Sequence, residues 1–141
     1  MVDETRVLRL LRRMSDETDV LDAEALASSE RRADPLWLRG VKYSFVVVIE
    51  VAVDVAQHTC AAEGWGPPDD NGHAMRLLGE RDVLDAPLAA RLSRAVGFRN
   101  LLVHEYAAVD DDLVVERLAD LHDLRSFVRS VGAWLVEARG V

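Results

Sequence analysis

Lysine is almost missing from this chain: of its 17 basic residues only Lys42 is lysine, and the rest are arginine. Arginine's planar fork suits phosphate recognition, although a compositional bias accounts for the skew equally well. Positive charge is itself in deficit, because 25 acids leave a net charge of −8. That balance excludes broad electrostatic attraction to nucleic acid, so any phosphate chemistry needs a local basic site. Cysteine is reduced to Cys60, which excludes an intrachain disulfide and a four-cysteine zinc site. The chain also lacks a long uninterrupted apolar run. Its best stretch, "FVVVIEVAVDVA", is broken by Glu50 and Asp54 and reads as too short and too charged to span a bilayer. The opening "MVDETRVLRLLRR" carries acids at once, with no apolar run of signal-peptide length. A cytoplasmic address without a membrane partner is the expectation. Strand signals, internal repeats and low-complexity segments are absent as well.

What is present suits one compact domain over residues 1–141. Half of the residues are hydrophobic and 30% are charged, a composition of neither a disordered chain nor a membrane protein. A chain of this length buries roughly two-thirds of its unfolded surface. Residues 3–32 read as a first helix, with Val7, Leu10, Leu11, Met14, Thr18, Leu21 and Ala25 at helical spacing. Pro35 then disfavours helix at Asp34. The β-branched run from Phe45 to Val55 is ambiguous, and length decides it. No glycine or proline falls between Gly40 and Gly64, and a strand of over about twenty residues does not suit so small a domain. A second long helix is therefore predicted, followed by the loop "EGWGPPDDNG" and a short helix over about 73–83. Asp85 and Pro87 mark the start of a fourth helix running to about His104. A fifth carries Leu118, Leu121, Leu124, Val128, Val131 and Leu135 behind the acids of "VDDD". The fold class is all-α, an antiparallel bundle of four to five helices.

The polar residues gather in "FRNLLVHEY", residues 98–106. On a helix Asn100 and His104 lie one turn apart, where an amide can fix the imidazole's tautomer. Arg99 lies five residues before His104, about 140° round the axis. The two therefore need the helix to end or bend near His104, or a second surface such as a dimer partner. An arginine holds phosphate and offsets charge in the transition state, and an imidazole moves protons near neutrality. Together they suit metal-free cleavage of RNA by its own 2′-hydroxyl. On spacing alone, a surface cation and a capping histidine are the commoner meaning of such a pair. For Tyr106 that meaning is an aromatic closing the helix end.

Glu50, Asp54 and His58 recur every four residues along the second helix. Di-metal bundles show a Glu-x-x-His pattern that is missing here, so no metal or other cofactor is expected. Asp54, ahead of Glu50, is the expected carboxylate partner of Arg99, with Glu50 and His58 on a solvated edge. His73 and His122 read as surface residues. Trp37, Trp65 and Trp134 read as packing or dimer anchors. Arg91 and Arg94, on the helix of the motif, could guide an RNA backbone, though solvated arginines are the plainer reading.

"GFRNLLVHEY" resembles the motif of HepT-like toxins, a branch of the HEPN ribonucleases, in which arginine, four residues, histidine, one residue and tyrosine follow in order. The second helix with its acids, the "GWGPP" loop, the short helix, "RLSRAVGFRNLLVHEY" and an acid-started last helix occur in the family's order, over roughly residues 5 to 138. The resemblance implies a metal-independent endoribonuclease that is the toxin of a type VII-like toxin–antitoxin pair. Arg99 and His104 would be catalytic, and Asn100, with Asp54 or Glu50, supporting. Two motifs would face one cleft in a homodimer or higher even oligomer. The resemblance also implies an MntA-type nucleotidyltransferase antitoxin that transfers AMP to Tyr106. The rival readings are a non-catalytic helical module binding a nucleotide or protein, or a restraining partner of a harmful nucleotidyltransferase.

Overall fold

A computed structural model of the chain describes residues 1–105 and 108–138. Among these residues there are seven helices and no strand. Helix α1 spans Glu4–Ala25, α2 Ser29–Arg32, α3 Pro35–Glu63, α4 Asn71–Glu80, α5 Ala86–His104, α6 Asp111–Leu118 and α7 His122–Ala138.

Side-chain caps set most of these boundaries. Asp3, Ser28, Asp34, Asp70, Asp85 and Asp110 each accept a hydrogen bond from a backbone N–H in the first turn of the helix that follows. Each such cap contributes about 0.5–2 kcal/mol. Pro35 falls in the first turn of α3, where its missing N–H costs nothing. Gly64 ends that helix in the left-handed region at φ 73°, which a side chain would resist.

Two of the predicted helices are divided. The segment 3–32 breaks after Ala25, because the Ser28 hydroxyl accepts from Arg31 N–H and starts a new turn. Arg32 closes the break by donating to the carbonyls of Ala25 and Ala27. The last predicted helix divides at residues 119–121, where the Asp120 carboxylate accepts from His122 N–H at 3.0 Å. A short polar side chain that bonds nearby backbone in a non-helical turn competes with the helix, and apolar periodicity does not register it.

Helix α3 is the centre of the bundle and packs against α1, α4, α5 and α6. Consecutive residues Val47, Val48 and Ile49, and then Val51, Ala52 and Val53, are buried, so its middle is covered over most of its circumference. By length and composition alone α3 could cross a membrane, at mean hydropathy 1.5, which the broken apolar run did not suggest. The same composition is what a core helix needs, and most of that span is buried here. Helices α1 and α3 run antiparallel. Asp3, at the start of α1, meets His58 near the end of α3, and Glu24, at the end of α1, meets Trp37 near its start. Helices α4 and α5 approach closely at Gly79, where an added Cβ would come within 2.5 Å of the Ala89 Cβ.

Candidate active site

The site is built on the last turns of α5 where they lie along α3. The Asp85 carboxylate starts α5 by accepting from Leu88 N–H at 2.8 Å. Leu88, Ala89, Leu92, Val96, Phe98 and Leu102 then turn its apolar stripe inward. Phe98 meets Phe45 of α3 edge-on, with ring centroids 5.5 Å apart. That contact sets the rotation of α5, so that Arg99, the next residue, falls beside α3.

Arg99 is held by two neighbours. Its Nη2 donates to Glu50 Oε1 at 2.5 Å and its Nη1 to Asn100 Oδ1 at 3.0 Å. The side chain is only 20% exposed, whereas that of Glu50 is 46% exposed. The Arg99 Nε is buried with no hydrogen-bond partner among the described residues. A guanidinium has five N–H donors. Two are engaged here, so Arg99 is positioned without being saturated.

Three expectations change in this geometry. Asp54, the expected partner of Arg99, is exposed, and Glu50 takes that role. The two carboxylates sit one turn apart, about 6 Å along α3, and the crossing of α5 selects the nearer. Asn100 was expected on His104; its carboxamide oxygen is turned to Arg99 instead. His58 leaves the acidic row to accept Asp3 N–H at 3.0 Å, so Glu50, Asp54 and His58 do not converge. Among the described residues no group of three His, Cys, Asp or Glu could hold a metal ion.

Helix α5 ends at His104, one of the alternatives that the 140° separation of Arg99 and His104 left open. Glu105 has left helical conformation at φ −130° and ψ 42°, while its N–H still reaches Leu101 O at 2.9 Å. His104 is exposed on the final turn. Tyr106 lies outside the described residues.

Lys42, the single lysine, was not singled out as a site residue from the sequence. It is buried on α3, and its Nζ donates to Asp111 Oδ1 at 2.8 Å, tying the first residue of α6 to α3. A lone cation inside an apolar helix was the available signal, since a buried ammonium is expected to be paired.

Between α3, α5 and the turn from α6 to α7 lies a cleft of about 150 Å³. Phe45, Ile49, Leu92, Phe98, Leu121 and Leu124 form its buried interior, and Arg91, Arg94, Arg117, Asp120 and Asp123 its more exposed rim. The Arg91 Nε donates to both carboxylate oxygens of Asp123, at 3.0 and 3.1 Å. The tryptophans pack as expected. Trp65 meets Trp134 at 5.8 Å with Arg81 over its ring, and Trp37 lies under Arg32. His73 is half-buried, with Nδ1 accepting Asp69 N–H, and His122 is exposed.

Comparison with known proteins agrees with this helical frame. The family model for ribonuclease HepT-like proteins matches residues 7–131. A provisionally named RNase of Archaeoglobus fulgidus is 33% identical over 102 residues, which is 72% of this chain and 76% of that protein. The mRNA nuclease HepT of Shewanella oneidensis is 29% identical over 85 residues, 60% of this chain and 64% of the relative. The chain thus spans somewhat less than two-thirds of that nuclease. Among solved structures, the tri-AMPylated Shewanella oneidensis HEPN toxin in complex with MNT antitoxin superposes with a TM-score of 0.84 at 22% identity. That match covers 94% of this chain and 99% of the toxin. A helical chain carrying an arginine and a histidine at the end of α5, matched by the family model over most of its length, belongs to the ribonuclease HepT-like family.

Proposed function

We propose that this chain, acting as one unit over residues 1–141, is the toxin of a toxin–antitoxin pair and a metal-independent endoribonuclease. The observation that carries the reading is Arg99, held half-buried by Glu50 and Asn100 with donors to spare, five residues before an exposed histidine on the last turn of the same helix. The guanidinium binds the scissile phosphate and offsets the charge that grows on it in the transition state. The 2′-oxygen attacks phosphorus, the P–O5′ bond breaks, and a cyclic phosphate and a 5′-hydroxyl result. His104 takes the 2′-hydroxyl proton or returns one to the leaving oxygen.

Arg99 and His104 sit on different sides of α5, so two copies facing each other would complete the site. The exposed Leu101, one turn before His104, gives that face apolar area to bury in a homodimer. Regulation follows from what the relatives' names record: the tri-AMPylated toxin is bound to its antitoxin. In this chain, an MntA-type nucleotidyltransferase would place AMP on Tyr106. The tyrosine oxygen would displace pyrophosphate from the α-phosphorus of ATP and leave a phosphodiester two residues along the chain from His104, carrying the charge that RNA would bring.

Purified, unmodified protein should cut single-stranded RNA in the presence of a chelator. His104→Ala should reduce the rate by about 10²–10⁴-fold, the usual contribution of a general acid–base, with the helical circular dichroism unchanged. Absence of cleavage by protein whose mass shows no modification would sink the reading. It would favour the rival, a helical binding module. Co-expression with the nucleotidyltransferase should add whole AMP units to wild type and none to Tyr106→Phe.

A further inference from the structure

We infer that the cleft between α3, α5 and the α6–α7 corner is a nucleotide subsite. It takes one unpaired base of RNA with its phosphate, next to the phosphate cut at Arg99 and His104. The inference rests on the ribonuclease reading above and adds the question of which base lies beside the cut.

Size is the first argument. At about 150 Å³ the cleft is well below the roughly 300–1,000 Å³ of a drug-sized pocket and suits a single flat ring system. Location is the second. Phe98 and Ile49 line it and immediately precede Arg99 and Glu50, so the cleft and the arginine pair share one seam. Arg94, on the rim, lies about 7.5 Å along α5 from Arg99 and about 140° round it, so a strand that wraps α5 passes from one to the other.

Charge is the third argument, and it selects an anion. Arg91 is neutralised by Asp123. Arg94 and Arg117 have no carboxylate or other side-chain partner among the described residues. In a chain of net charge −8, these two guanidiniums against the single carboxylate of Asp120 leave the rim net positive, the local basic site that phosphate chemistry requires. Apolar walls under arginine planes accept a splayed-out base, the usual way in which single strands are read.

Asp120 supplies the specificity. Its Oδ1 caps α7, and its other oxygen has no partner among the described residues. A carboxylate accepts from an exocyclic amine. Adenine and cytosine are therefore favoured over uracil, which has none.

The test uses labelled oligoadenylate, oligocytidylate and oligouridylate and the His104→Ala protein as a binder that does not cut. The adenine and cytosine strands should bind several-fold more tightly than the uracil strand. Arg94→Gln with Arg117→Gln should weaken all three about tenfold. It should also flatten the log–log salt slope by about 0.7, the contribution of one phosphate contact on a single strand. Ala95→Leu, which fills the cleft from a half-exposed position, should erase the base preference and leave the salt slope alone. Thermal melts of each variant confirm that the fold is retained.

Unchanged affinity and salt slope in the double variant, or an unchanged base preference in Ala95→Leu, overturns the subsite. If the wild type still cuts RNA in that case, the ribonuclease reading stands by itself. If the wild type neither binds nor cuts any strand, both fall. Free AMP and CMP are the remaining arm. Should they bind the cleft while strand affinity ignores both arginines, it holds free nucleotides, and the RNA assignment is overturned.

Discussion

Two of the arginines that bridge helices in this molecule, Arg125 and Arg99, are built differently. Arg125 on α7 donates to Asp19 at 2.6 Å and to Asp22 at 2.5 Å, both on α1. Two carboxylates converge on one guanidinium, and its hydrogen bonds to Asp22 and then Asp19 push its pKa further up. Arg99 receives one carboxylate and one neutral amide, and its Nε is left buried and unpartnered among the described residues. Each engages two N–H donors, but an arginine that only clamps helices can be matched by two carboxylates. One that must accept an incoming phosphate has to keep donors, and the buried Nε is the visible cost, since an unmade buried hydrogen bond costs about 1–3 kcal/mol.

The sharpest way to break the comparison is to exchange the two roles. Arg99→Ala should lower RNA cleavage by about 10²–10³-fold, the usual loss on removing a transition-state donor. Its melting temperature should stay near wild type. Arg125→Met should do the reverse. It should leave cleavage per folded molecule unchanged and remove about 1 kcal/mol of stability, seen as a drop of about 3 °C in Tm. Loss of activity in Arg125→Met would show that the clamp also shapes the site.

The next effect separates the two carboxylates on α3. Glu50→Gln keeps the shape and removes the charge that aims Arg99, so kcat should fall roughly 10- to 100-fold through misplacement of the guanidinium. Asp54→Asn should change little, because that side chain is exposed and away from the pair. Equal effects would show that Glu50 holds Arg99 less specifically than the 2.5 Å contact implies.

A smaller effect concerns Cys60, whose thiol burial pushes above its ordinary pKa of 9.0. The folded protein should resist alkylation at neutral pH and react on unfolding, as mass spectrometry would record.

The smallest involves Glu24, held below its ordinary 4.5 chiefly by the hydrogen bond from Arg31. A depressed carboxylate contributes stability above its unfolded pKa and loses it as pH falls through the folded value. Acid titration should therefore cost wild type slightly more than Glu24→Gln below about pH 4.5.

Much of the fold was legible because caps and periodicity are local. Asp34 with Pro35, Asp85 with Pro87, and Gly64 mark helix ends through chemistry within a few residues. The valine-rich run could be read as helix because no glycine or proline interrupts it after Gly40. The breaks at Ser28 and Asp120 were missed for a reason equally local. Each is a single polar side chain competing for backbone, and an apolar stripe passes over it undisturbed.

The sequence by itself determined an all-helical chain, the order of its elements, and the placing of Arg99 and His104 five residues apart at a helix end. Those follow from propensity, caps and the 100° turn per residue. Only the tertiary structure decided that Glu50 rather than Asp54 holds Arg99, and that Asn100 serves the arginine rather than the histidine. It also brought Arg94 and Arg117 to one cleft from two successive helices. Carboxylates four residues apart on α3 share a face and cannot be told apart by pattern. The Phe45–Phe98 contact, which sets how α5 lies on α3, separates them.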